Sequence, residues 1–369
     1  MRILYYIFGL NIGGAETFIY SVLSQINTDK YHIDFILQSH NNKNTKLMDL
    51  CHEKESKVFY IDAFHKSPIK STLQTQSIIK KGDYDLIHIH QNAMINIGPI
   101  IAGRRCGIPV ILHSHNSLSN AGKIGKVLHT INRKHYASKV IRLACGEEAG
   151  KWMYGDLDYK VVSNAISLDR YRYSEAYRAE IRRRHGIPND AKVIGHIGRF
   201  VPAKNHEMIV DIFKSIASTD ENVTLVMVGD GELKPKIEHR VSTELLTDRV
   251  VFAGNVDDAY KYYSAFDVLL FPSLFEGLPY TLVESQASGL KCLVSDNVTK
   301  DVKVTSCIEY LELNKSEKVW RDTLITCLQE SNDRYEKSKS MIGSVYDVKH
   351  MIVELVNIYN EIGERAQIR

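Results

Sequence analysis

The sequence predicts an α/β protein made of two doubly wound parallel-sheet lobes. Short apolar runs alternate with amphipathic helical patterns along its 369 residues, as expected for parallel strands joined by crossover helices. A polar stretch at residues 167–190, which closes on Gly186 and Pro188, interrupts the alternation and is the predicted linker. A second strand–helix series follows it, and the length of the chain also favours two domains.

The elements of each series are placed by their apolar patterns. The first series has a helix after Gly14, strands at 2–8, 33–37, 58–61, 86–90, 110–113 and 140–145, and helices near 46–54, 69–81, 93–105, 124–137 and 147–154. The second has strands at 193–197, 223–228, 250–252, 268–271 and 291–294, and helices near 205–218, 233–245, 256–264 and 280–289. We therefore assign residues 1–170 to an N-terminal domain and 171–346 to a C-terminal domain. A last helical pattern at 351–362, within residues 347–369, is predicted to return to the first domain.

Composition and charge limit the function classes. Six cysteines lie far apart without a C-x-x-C pair, which predicts a reduced, cytoplasmic protein. The sequence has neither a spanning apolar run nor a signal-peptide pattern. Residues 1–170 contain 21 Lys and Arg against 14 Asp and Glu, and no acid occurs between Asp85 and Glu147. This basic half favours an anionic partner such as a membrane surface or phosphates, and the motifs of RNA-binding modules are absent, so we expect no nucleic-acid partner.

The stretch 265–290 carries the strongest site pattern. The apolar run 268–271 ends at Pro272, a loop follows, and a helix is predicted from Tyr280. Ligands of open α/β sheets bind where strands end, and a free helix N-terminus suits an anion. Glu276 in the loop and Glu284 in the helix could accept hydrogen bonds from sugar hydroxyls, so the loop suits a phosphorylated sugar. The alternative is a pair of solvated acids near a helix start.

Three more strand-end turns carry candidate ligand contacts. Gly13-Gly14 would let backbone approach a ligand closely, although a tight packing turn explains glycines equally well. Arg199 and Lys204 after the strand at 193–197 would form a clamp for a diphosphate. Gly229 begins a further turn, Gly229-Asp230-Gly231-Glu232, for which a plain turn is the alternative.

Two His-x-His pairs lie at predicted strand ends, at residues 88–90 and 113–115. Residues two apart on a strand share a face, so zinc ligation is one interpretation. Core or sheet-end histidines are the other, because no Cys or acid joins them at ligand spacing. His115, which Asn116 follows, is the one best placed to reach a ligand as a hydrogen-bond donor.

The run GKIGKVLHTINRKHY at residues 122–136 is basic on one helical face and apolar on the other. The apolar face contains Ile124, Val127, Leu128 and Ile131. Such a helix suits a membrane interface. The alternative is a surface helix that packs on the sheet by its apolar face.

Together these motifs resemble the GT4 family of GT-B glycosyltransferases, which contains many bacterial polysaccharide enzymes, over nearly the whole chain. The most specific is the E-x7-E pattern from Glu276 to Glu284 in FPSLFEGLPYTLVESQASG. The others follow in family order: G-G-A-E at 13–16, H-S-H-N at 113–116, V-V-S-N at 161–164, G-R-F-V-P-A-K-N at 198–205 and G-D-G-E-L at 229–233.

The resemblance implies two Rossmann-like lobes facing a cleft, the N-terminal one binding the acceptor and the C-terminal one the nucleotide sugar. It implies that Arg199 and Lys204 bind the donor diphosphate and that Glu284 binds the ribose. Glu276 and His115 would be catalytic, the first at the transferred sugar and the second by the reacting carbon. The other implied donor contacts are Gly14, Gly277, Leu278 and Pro279, and the implied contacts to donor or acceptor are Gly13, Asn164, Asn205 and Gly229.

The resemblance further implies retaining transfer of a hexose from a nucleotide-diphosphate sugar, UDP-linked, without a cofactor or bound metal. The expected acceptor is a glycan or a polyprenyl-diphosphate-linked sugar, which places the enzyme in the cytoplasm, peripheral on the inner face of the membrane. A sugar-nucleotide 2-epimerase and a catalytically silent partner subunit are the alternatives, although Arg199, Lys204 and Glu276 are all present. No acid lies near His115 in sequence, so we expect attack from the leaving group's own face rather than a covalent intermediate.

Overall fold

The computed structural model describes residues 1–11, 13–40, 44–116, 122–330 and 333–367. The chain divides into two compact units, which we call the first lobe and the second lobe. The first lobe is Met1–Ala165 together with the segment from Val345 onward, and the second lobe is Ile166–Ser344. The divisions after residues 165 and 344 lie a few residues before the predicted ones after 170 and 346.

The first lobe is built on a parallel sheet whose central strands β1, β2, β4 and β5, defined below, are buried on both faces. Its strands are Arg2–Ile7 (β1), His32–Leu37 (β2), Val58–Tyr60 (β3), Leu86–Gln91 (β4), Val110–Ser114 (β5), Ile141–Ala144 (β6) and Lys160–Val161 (β7), in the order β3-β2-β1-β4-β5-β6-β7. Its helices up to residue 165 are Gly14–Gln25 (α1), Thr45–Glu53 (α2), Pro68–Gly82 (α3), Gly98–Arg105 (α4), Gly122–Tyr136 (α5) and Glu147–Tyr154 (α6). Helices cover both faces, which explains why the strands are nearly continuous apolar runs.

The second lobe repeats the arrangement. Its helices are Leu168–Tyr171 (α7), Glu175–Arg184 (α8), His206–Ala217 (α9), Lys234–Thr243 (α10), Ala259–Ala265 (α11), Tyr280–Ala287 (α12), Glu317–Gln329 (α13) and Arg334–Ser338 (α14). Its strands are Lys192–Ile197 (β8), Val223–Val228 (β9), Val250–Gly254 (β10), Val268–Phe271 (β11), Cys292–Ser295 (β12) and Ile308–Leu311 (β13), all paired in parallel in the order β10-β9-β8-β11-β12-β13. The predicted fold class of two Rossmann-like parallel-sheet lobes is therefore confirmed.

The predicted linker at 167–190 is wrong as a linker, because the segment folds into α7 and α8 as part of the second lobe. The polar residues of this segment are not all exposed to solvent. Arg182 is buried, and its guanidinium donates to the Asp267 carboxylate at 2.8 Å. Arg178 donates to the other oxygen of Asp267 at 2.9 Å. A buried charge is tolerated when it is paired and hydrogen-bonded in this way, so polarity of sequence did not mean solvation here.

The last helix, Val348–Gln367 (α15), packs on the core of the first lobe, as predicted from the pattern at 351–362. Met351, Leu355 and Ile358 join the core formed with β1 and α1. The Tyr359 hydroxyl lies 2.8 Å from the Tyr5 hydroxyl and 2.8 Å from Nδ1 of His88. Residues 368–369 of the predicted segment lie outside the described residues. No helix in the described part of the chain is long and apolar enough to cross a membrane.

Each sheet reverses its chain order at one place, between β1 and β4 in the first lobe and between β8 and β11 in the second. Loops leave the carboxyl ends of these strand pairs in different directions, which opens a crevice where ligands of such sheets bind. Most of the predicted site residues lie in the loops after these strands, and His115 follows the neighbouring β5.

Candidate active site

The loop after β11 brings a carboxylate and a cation together. Lys204 donates from Nζ to Glu276 Oε1 at 2.6 Å, and the two side chains are only 16% and 11% exposed. The same ammonium lies 5.1 Å from the centre of the Phe271 ring. A charged pair that is largely shielded from water interacts much more strongly than a surface pair. The pair therefore joins two residues that the resemblance assigned to neighbouring parts of one donor.

Backbone contacts between two loops produce this pair. After β8 the chain forms a tight turn at Pro202–Lys204 and reaches Asn205 in the left-handed region at φ +56°. The Asn205 amide donates to the Pro272 carbonyl at 3.2 Å, and the Leu274 N–H donates to the Ala203 carbonyl at 2.8 Å. Asn205, predicted as a possible ligand contact, thus joins the loops after β8 and β11 at the switch point of the second sheet.

Arg199 differs from Lys204 in its surroundings. Its side chain is exposed, and it takes part in none of the ion pairs found among the described residues. It lies on the same loop, one residue after Gly198 at the end of β8. Its planar fork is therefore available for a bidentate contact with phosphate oxygens.

Gly229 has a packing reason for being glycine. It has φ +132°, and a Cβ there would lie 2.1 Å from the carbonyl oxygen of Gly198. The turn after β9 therefore presses against the start of the Arg199 loop and supports it. Gly277 is the opposite case, since a Cβ there would meet nothing within 4 Å. Gly277, Leu278 and Pro279 lead directly into the N-terminus of α12.

Glu284 is held by two tyrosines that the sequence analysis did not single out. Its Oε1 accepts from the Tyr171 hydroxyl at 2.9 Å and its Oε2 from the Tyr263 hydroxyl at 2.5 Å. Burial raises the pKa of Glu284, and the two hydroxyls oppose that rise. Burial and the adjacent carboxylate raise the pKa of both tyrosines, so they remain donors. The carboxylate is thereby fixed in orientation and keeps lone pairs for another donor.

In the first lobe, Gly13 and Gly14 lie where two side chains approach the start of α1. A Cβ on Gly13 would lie 2.8 Å from Glu16 Oε2, and one on Gly14 would lie 3.1 Å from the Asn164 amide nitrogen. Glu16 in turn accepts from the Asn11 N–H at 3.3 Å. Glycine at these positions therefore makes room for Glu16 and Asn164 beside the helix start.

His115 lies beside these glycines and is electrically neutral near pH 7. Its Nε2 is 2.9 Å from Nδ1 of His90, so one ring donates to the other. Burial lowers the pKa of His115 to about 3, and a hydrogen bond with Asn164 opposes that shift only partly. His115 can therefore donate or accept a hydrogen bond, but it does not act as a protonated acid at neutral pH.

The other three histidines of the two His-x-His pairs, His88, His90 and His113, stack with His115. The ring centres of His88 and His90 are 4.2 Å apart, and those of His113 and His115 are 4.3 Å apart. Nitrogens of His88, His90 and His113 lie within 4.8 Å of one another, the one such group of potential metal ligands among the described residues. Burial holds the pKa values of all three well below the usual range. Their neighbours are the rings of Tyr5, Phe18 and Tyr359 rather than carboxylates, which fits core histidines better than a cation site.

A cavity of about 650 Å³ opens in the first lobe where β1, β4 and β5 end. His115, Gly13 and Gly14 line it, together with side chains from the loops after β2 and β3. Its lining is mostly amide, aromatic and backbone: Tyr6, Phe8, Asn11, Gln38, Phe64, Gln91, Asn92, Asn96 and Asn116 are members, and Glu16 is the carboxylate. Its volume falls in the range of about 300–1,000 Å³ that is usual for small-molecule sites.

Three residues were therefore missed, and the signals for two of them were weak. Tyr171 lies in the stretch interpreted as linker, and Tyr263 looks like an ordinary core residue in the pattern KYYSAF. Glu16 was predicted only as part of the G-G-A-E motif, without a role of its own. In the structure it lines the same cavity as His115, although the two residues are far apart in sequence. The expectation that no acid is near His115 holds in sequence but not in space.

Comparison with known proteins covers both lobes. Residues 12–169 match the family described as Glycosyltransferase Family 4, and residues 177–305 match the family described as Glycosyl transferases group 1. The Bacillus subtilis protein named as glycosyltransferase EpsF is 28% identical over 381 residues, which covers 100% of this chain and 98% of that protein. An Escherichia coli enzyme, the UDP-Gal:α-D-GlcNAc-diphosphoundecaprenol α-1,3-galactosyltransferase, is 27% identical over 62% of each chain.

Solved structures agree on the fold. Anabaena HepE in complex with UDP superposes with a TM-score of 0.76 at 18% identity and covers 98% of this chain and 100% of its own. A glycosyltransferase of Rickettsia africae gives a TM-score of 0.78 at 15% identity, covering 98% of each chain. Both lobes, the order of the motifs and these relatives agree: the chain belongs to the family-4 glycosyltransferases and has the GT-B fold.

Proposed function

We propose that this glycosyltransferase transfers a hexose from a UDP-linked sugar to a glycan or polyprenyl-diphosphate-linked acceptor in cell-surface polysaccharide biosynthesis, with retention at the anomeric carbon. Its relatives support this choice by name: the E. coli enzyme uses a UDP-sugar and a diphosphoundecaprenol acceptor. Anabaena HepE binds UDP and UDP-glucose. A Bacillus subtilis relative, 27% identical over 58% of this chain, is named for teichuronic acid biosynthesis.

The contact between Lys204 and Glu276 carries the donor part of the proposal. In a sugar diphosphate the phosphate is bonded directly to the sugar, so the groups that bind each must be near neighbours. Lys204 and Glu276 are such neighbours, 2.6 Å apart and largely shielded from water. The ammonium would neutralise the departing diphosphate with the Arg199 guanidinium, and Glu276 would accept hydrogen bonds from hydroxyls of the sugar ring.

Glu284 completes the donor site. Its carboxylate, fixed by Tyr171 and Tyr263, would accept from the ribose hydroxyls of the nucleotide. The N-terminus of α12, entered through Gly277 and Pro279, would contribute free N–H groups to the diphosphate. Charge on the leaving group would thus be met by side chains and a helix end, so we expect no requirement for a metal ion.

Retention would follow from attack on the leaving group's own face, with the diphosphate oxygen accepting the proton of the acceptor hydroxyl. A retaining route through a glycosyl-enzyme needs a carboxylate nucleophile. Glu276 pairs with Lys204 and would serve the sugar hydroxyls, and Glu16 is occupied by the Asn11 N–H at the start of α1. Neither is a free nucleophile, and His115 as a neutral imidazole would hydrogen-bond the transferred sugar.

A donor screen in EDTA tests the proposal directly. UDP-linked hexoses should raise the melting temperature, because a ligand that binds only the native state stabilises it, and the corresponding GDP- and ADP-sugars should do so less. Transfer to a polyprenyl-diphosphate sugar should proceed in EDTA and give a product with the donor's anomeric configuration by NMR. Inverted product, or turnover that requires added Mg²⁺ or Mn²⁺, would contradict it. Binding without turnover would indicate a silent subunit, and donor conversion without acceptor an epimerase.

We also propose that α5 holds the enzyme on an anionic membrane. The predicted apolar face does not pack on the sheet: Ile124 is 79% exposed, and Val127, Leu128 and Ile131 are also exposed. The helix packs instead by Gly125 and His129, whose ring stacks on Trp152 at 4.3 Å. Lys123, Lys126, Arg133 and Lys134 lie on the same helix, so apolar and cationic side chains are both available to a lipid surface.

Vesicle sedimentation tests this placement. The protein should bind vesicles that contain phosphatidylglycerol, bind neutral vesicles much less, and dissociate at high salt, since each basic residue near the surface contributes about 1 kcal/mol. Ile124→Ser should weaken binding, while Ile69→Ser, at another exposed isoleucine of the same lobe, should not. Equal binding to neutral vesicles, or no binding to anionic ones, would contradict the proposal and leave a plain surface helix as the explanation.

A further inference from the structure

The cavity of the first lobe is unlike the rest of that lobe in its charge. The lobe is basic, yet none of the described residues that line the cavity is Lys or Arg. Two of its lining histidines, His90 and His115, have pKa values held well below 7 by burial, so they are neutral, and His65 from the loop after β3 is a third histidine of the lining. Glu16 is the one carboxylate among the described lining residues. The described lining therefore holds one carboxylate and no lysine or arginine.

One feature of the cavity would attract an anion, namely the N-terminus of α1, but a carboxylate of the chain already lies in its first turn. The N-terminus of α1 begins at Gly14 and carries the positive end of the helix dipole. Glu16 lies in this first turn and accepts from the Asn11 N–H at 3.3 Å. A phosphate or carboxylate entering the cavity would meet this carboxylate, and the described lining has no lysine or arginine to balance it, which disfavours binding.

The polar groups of the cavity suit hydroxyls. Several of its amides form fixed walls: Gln38 accepts from the Phe64 N–H at 2.6 Å, and Asn96 donates to the Tyr6 hydroxyl at 2.9 Å. Gln91 is different, because its buried amide nitrogen has no hydrogen-bond partner among the described residues. A buried donor without an acceptor is unfavourable, so an oxygen of a ligand is the expected partner.

An exposed ring completes the site. Phe8 follows β1, lines the cavity and is 53% exposed, an unusual position for a large apolar side chain. Such a ring can pack on the apolar C–H face of a pyranose, while amides bind the hydroxyls at its rim. Phe64 provides a second ring in the same lining.

We infer that this cavity binds a neutral sugar ring of the acceptor, and not its phosphate or an acidic sugar. The inference rests on the proposed function, since it specifies which part of the acceptor enters the first lobe. The Gln91 amide donates to a sugar oxygen, Phe8 packs on the ring face, and Glu16 accepts from a hydroxyl. A lipid diphosphate, where the acceptor has one, stays outside this cavity.

Ligand-observed NMR with the full chain tests the inference on three matched probes: methyl α-glucoside, glucuronic acid and glucose 6-phosphate. The neutral probe should bind, and the two anionic probes should bind at least about tenfold more weakly, since an unpaired charge is costly to desolvate. Phe8→Ala and Gln91→Leu should each weaken binding of the neutral probe about tenfold, the effect of one good contact. Ile69→Ala should leave it unchanged.

Tighter binding of either anionic probe overturns the inference. So does failure of the neutral probe to bind, or neutral binding that Phe8→Ala and Gln91→Leu do not affect. The melting temperature of the same variants, measured with and without UDP, separates the two proposals. If UDP stabilises the protein but anionic probes are preferred, only the inference fails. If UDP and UDP-sugars have no effect while the neutral probe depends on Phe8 and Gln91, the proposed donor fails and the cavity assignment stands.

Discussion

The loops at the switch point of the second sheet carry several charged groups, whereas those of the first sheet carry mostly neutral groups, with Glu16 in the first turn of α1 as the carboxylate among the described lining residues. Lys204, Glu276 and Arg199 lie on the loops after β8 and β11, and the Lys204–Glu276 contact is only 2.6 Å long. The loops after β1, β4 and β5 bring together amides, aromatic rings and the imidazoles of His90 and His115, all uncharged near pH 7. Under the proposed function, the same backbone arrangement would serve a charged leaving group in one lobe and hydroxyls in the other.

The difference has a physical origin in what each substrate part requires. A diphosphate leaving group develops charge that fixed cations stabilise, and a partly shielded site strengthens that effect. A neutral acceptor gains nothing from buried charge, and burying its partners uncharged avoids a desolvation cost. The neutral histidines of the first lobe fit such an acceptor, and we expect them to make that lobe sensitive to acid.

Acid sensitivity is the largest effect that separates the lobes. In the first lobe His88, His90 and His113 are buried and His115 is partly buried, all with lowered pKa values, and the buried His129 is a further such group. In the second lobe the buried histidines with lowered pKa values are His196 and His206. A lowered folded-state pKa means that the unfolded chain binds protons more readily. The contribution of such a histidine to the free energy of unfolding is therefore fully present above about pH 6.5. Below that pH it decreases, for His115 by about 1.4 kcal/mol per pH unit until its folded pKa of about 3 is reached.

Hydrogen exchange followed by mass spectrometry between pH 7 and 4.5, corrected for intrinsic rates, measures this. Peptides of β4 and β5 should lose protection at a higher pH than peptides of β8 and β11. Loss of protection in the second lobe first, or in both lobes together, would show that the histidine stack does not control acid unfolding.

Removing the cations of the second lobe should produce the next largest effect. Arg199→Ala and Lys204→Ala should each lower kcat/KM by an amount that corresponds to about 2–4 kcal/mol of lost transition-state stabilisation, the scale of one lost donor to a developing charge. Lys204→Ala should also leave the Glu276 carboxylate without its partner. Lys214→Ala, on the exposed face of α9, is the matched control and should retain full activity. Wild-type rates in both site variants would place the diphosphate elsewhere.

Sequence patterns predicted the two lobes and the charged loop well, because these depend on local order in the chain. Parallel strands are continuous apolar runs. Arg199, Lys204 and Glu276 lie in the segments that directly follow strands, and Glu284 lies in the next helix. Besides α7 and α8, which lie in the segment predicted as a linker, four elements were missed: β7, β13, α13 and α14. The two strands are short, and α14 has five residues with Arg334 buried inside it. Such an element is held by tertiary contacts and gives no periodic signal.

The neutral half of the site was less predictable because its contacts are distant in sequence. His90 and His115 meet across neighbouring strands, and Glu16 reaches the same cavity from the first helix. Tyr171 reaches Glu284 across 113 residues. The linker prediction failed for the same reason: Arg182 is neutralised by Asp267, 85 residues later. Pairings of this kind follow from the fold and not from residue type.

Substitution of Glu276 distinguishes binding of the sugar from covalent catalysis. Glu276→Gln should keep partial activity, since an amide can still hydrogen-bond a hydroxyl, although it weakens the contact with Lys204. Glu276→Ala should lose considerably more, on the order of 2–3 kcal/mol in kcat/KM, as expected when a charged hydrogen bond is removed. Rates with a saturating acceptor measure both.

Mass spectrometry of the protein during turnover of a slow acceptor completes this test. No sugar should be attached to the chain. Glu16 must be searched as well as Glu276, because it is the carboxylate in the cavity that contains His115. A sugar adduct on either residue, or a Gln variant as inactive as the Ala variant, would favour the covalent route.

The smallest effect concerns the orientation of one carboxylate. Tyr263 donates to Glu284 Oε2 at 2.5 Å and Tyr171 donates to Oε1 at 2.9 Å, so we expect both to act on the donor through this carboxylate if Glu284 binds the ribose. Tyr263→Phe removes one donor and leaves a buried carboxylate less well satisfied, which costs about 1 kcal/mol. The donor KM should rise about fivefold, the equivalent of that energy, with kcat nearly unchanged, because the ribose is remote from the reacting bond.

Tyr335→Phe, at an exposed tyrosine of the same lobe, is the control. A merely structural role would lower the melting temperature without changing the ratio of KM for UDP-glucose to that for a deoxyribose analogue. If Glu284 binds the ribose, that ratio should move toward one, and an unchanged ratio would assign the two tyrosines to the fold alone.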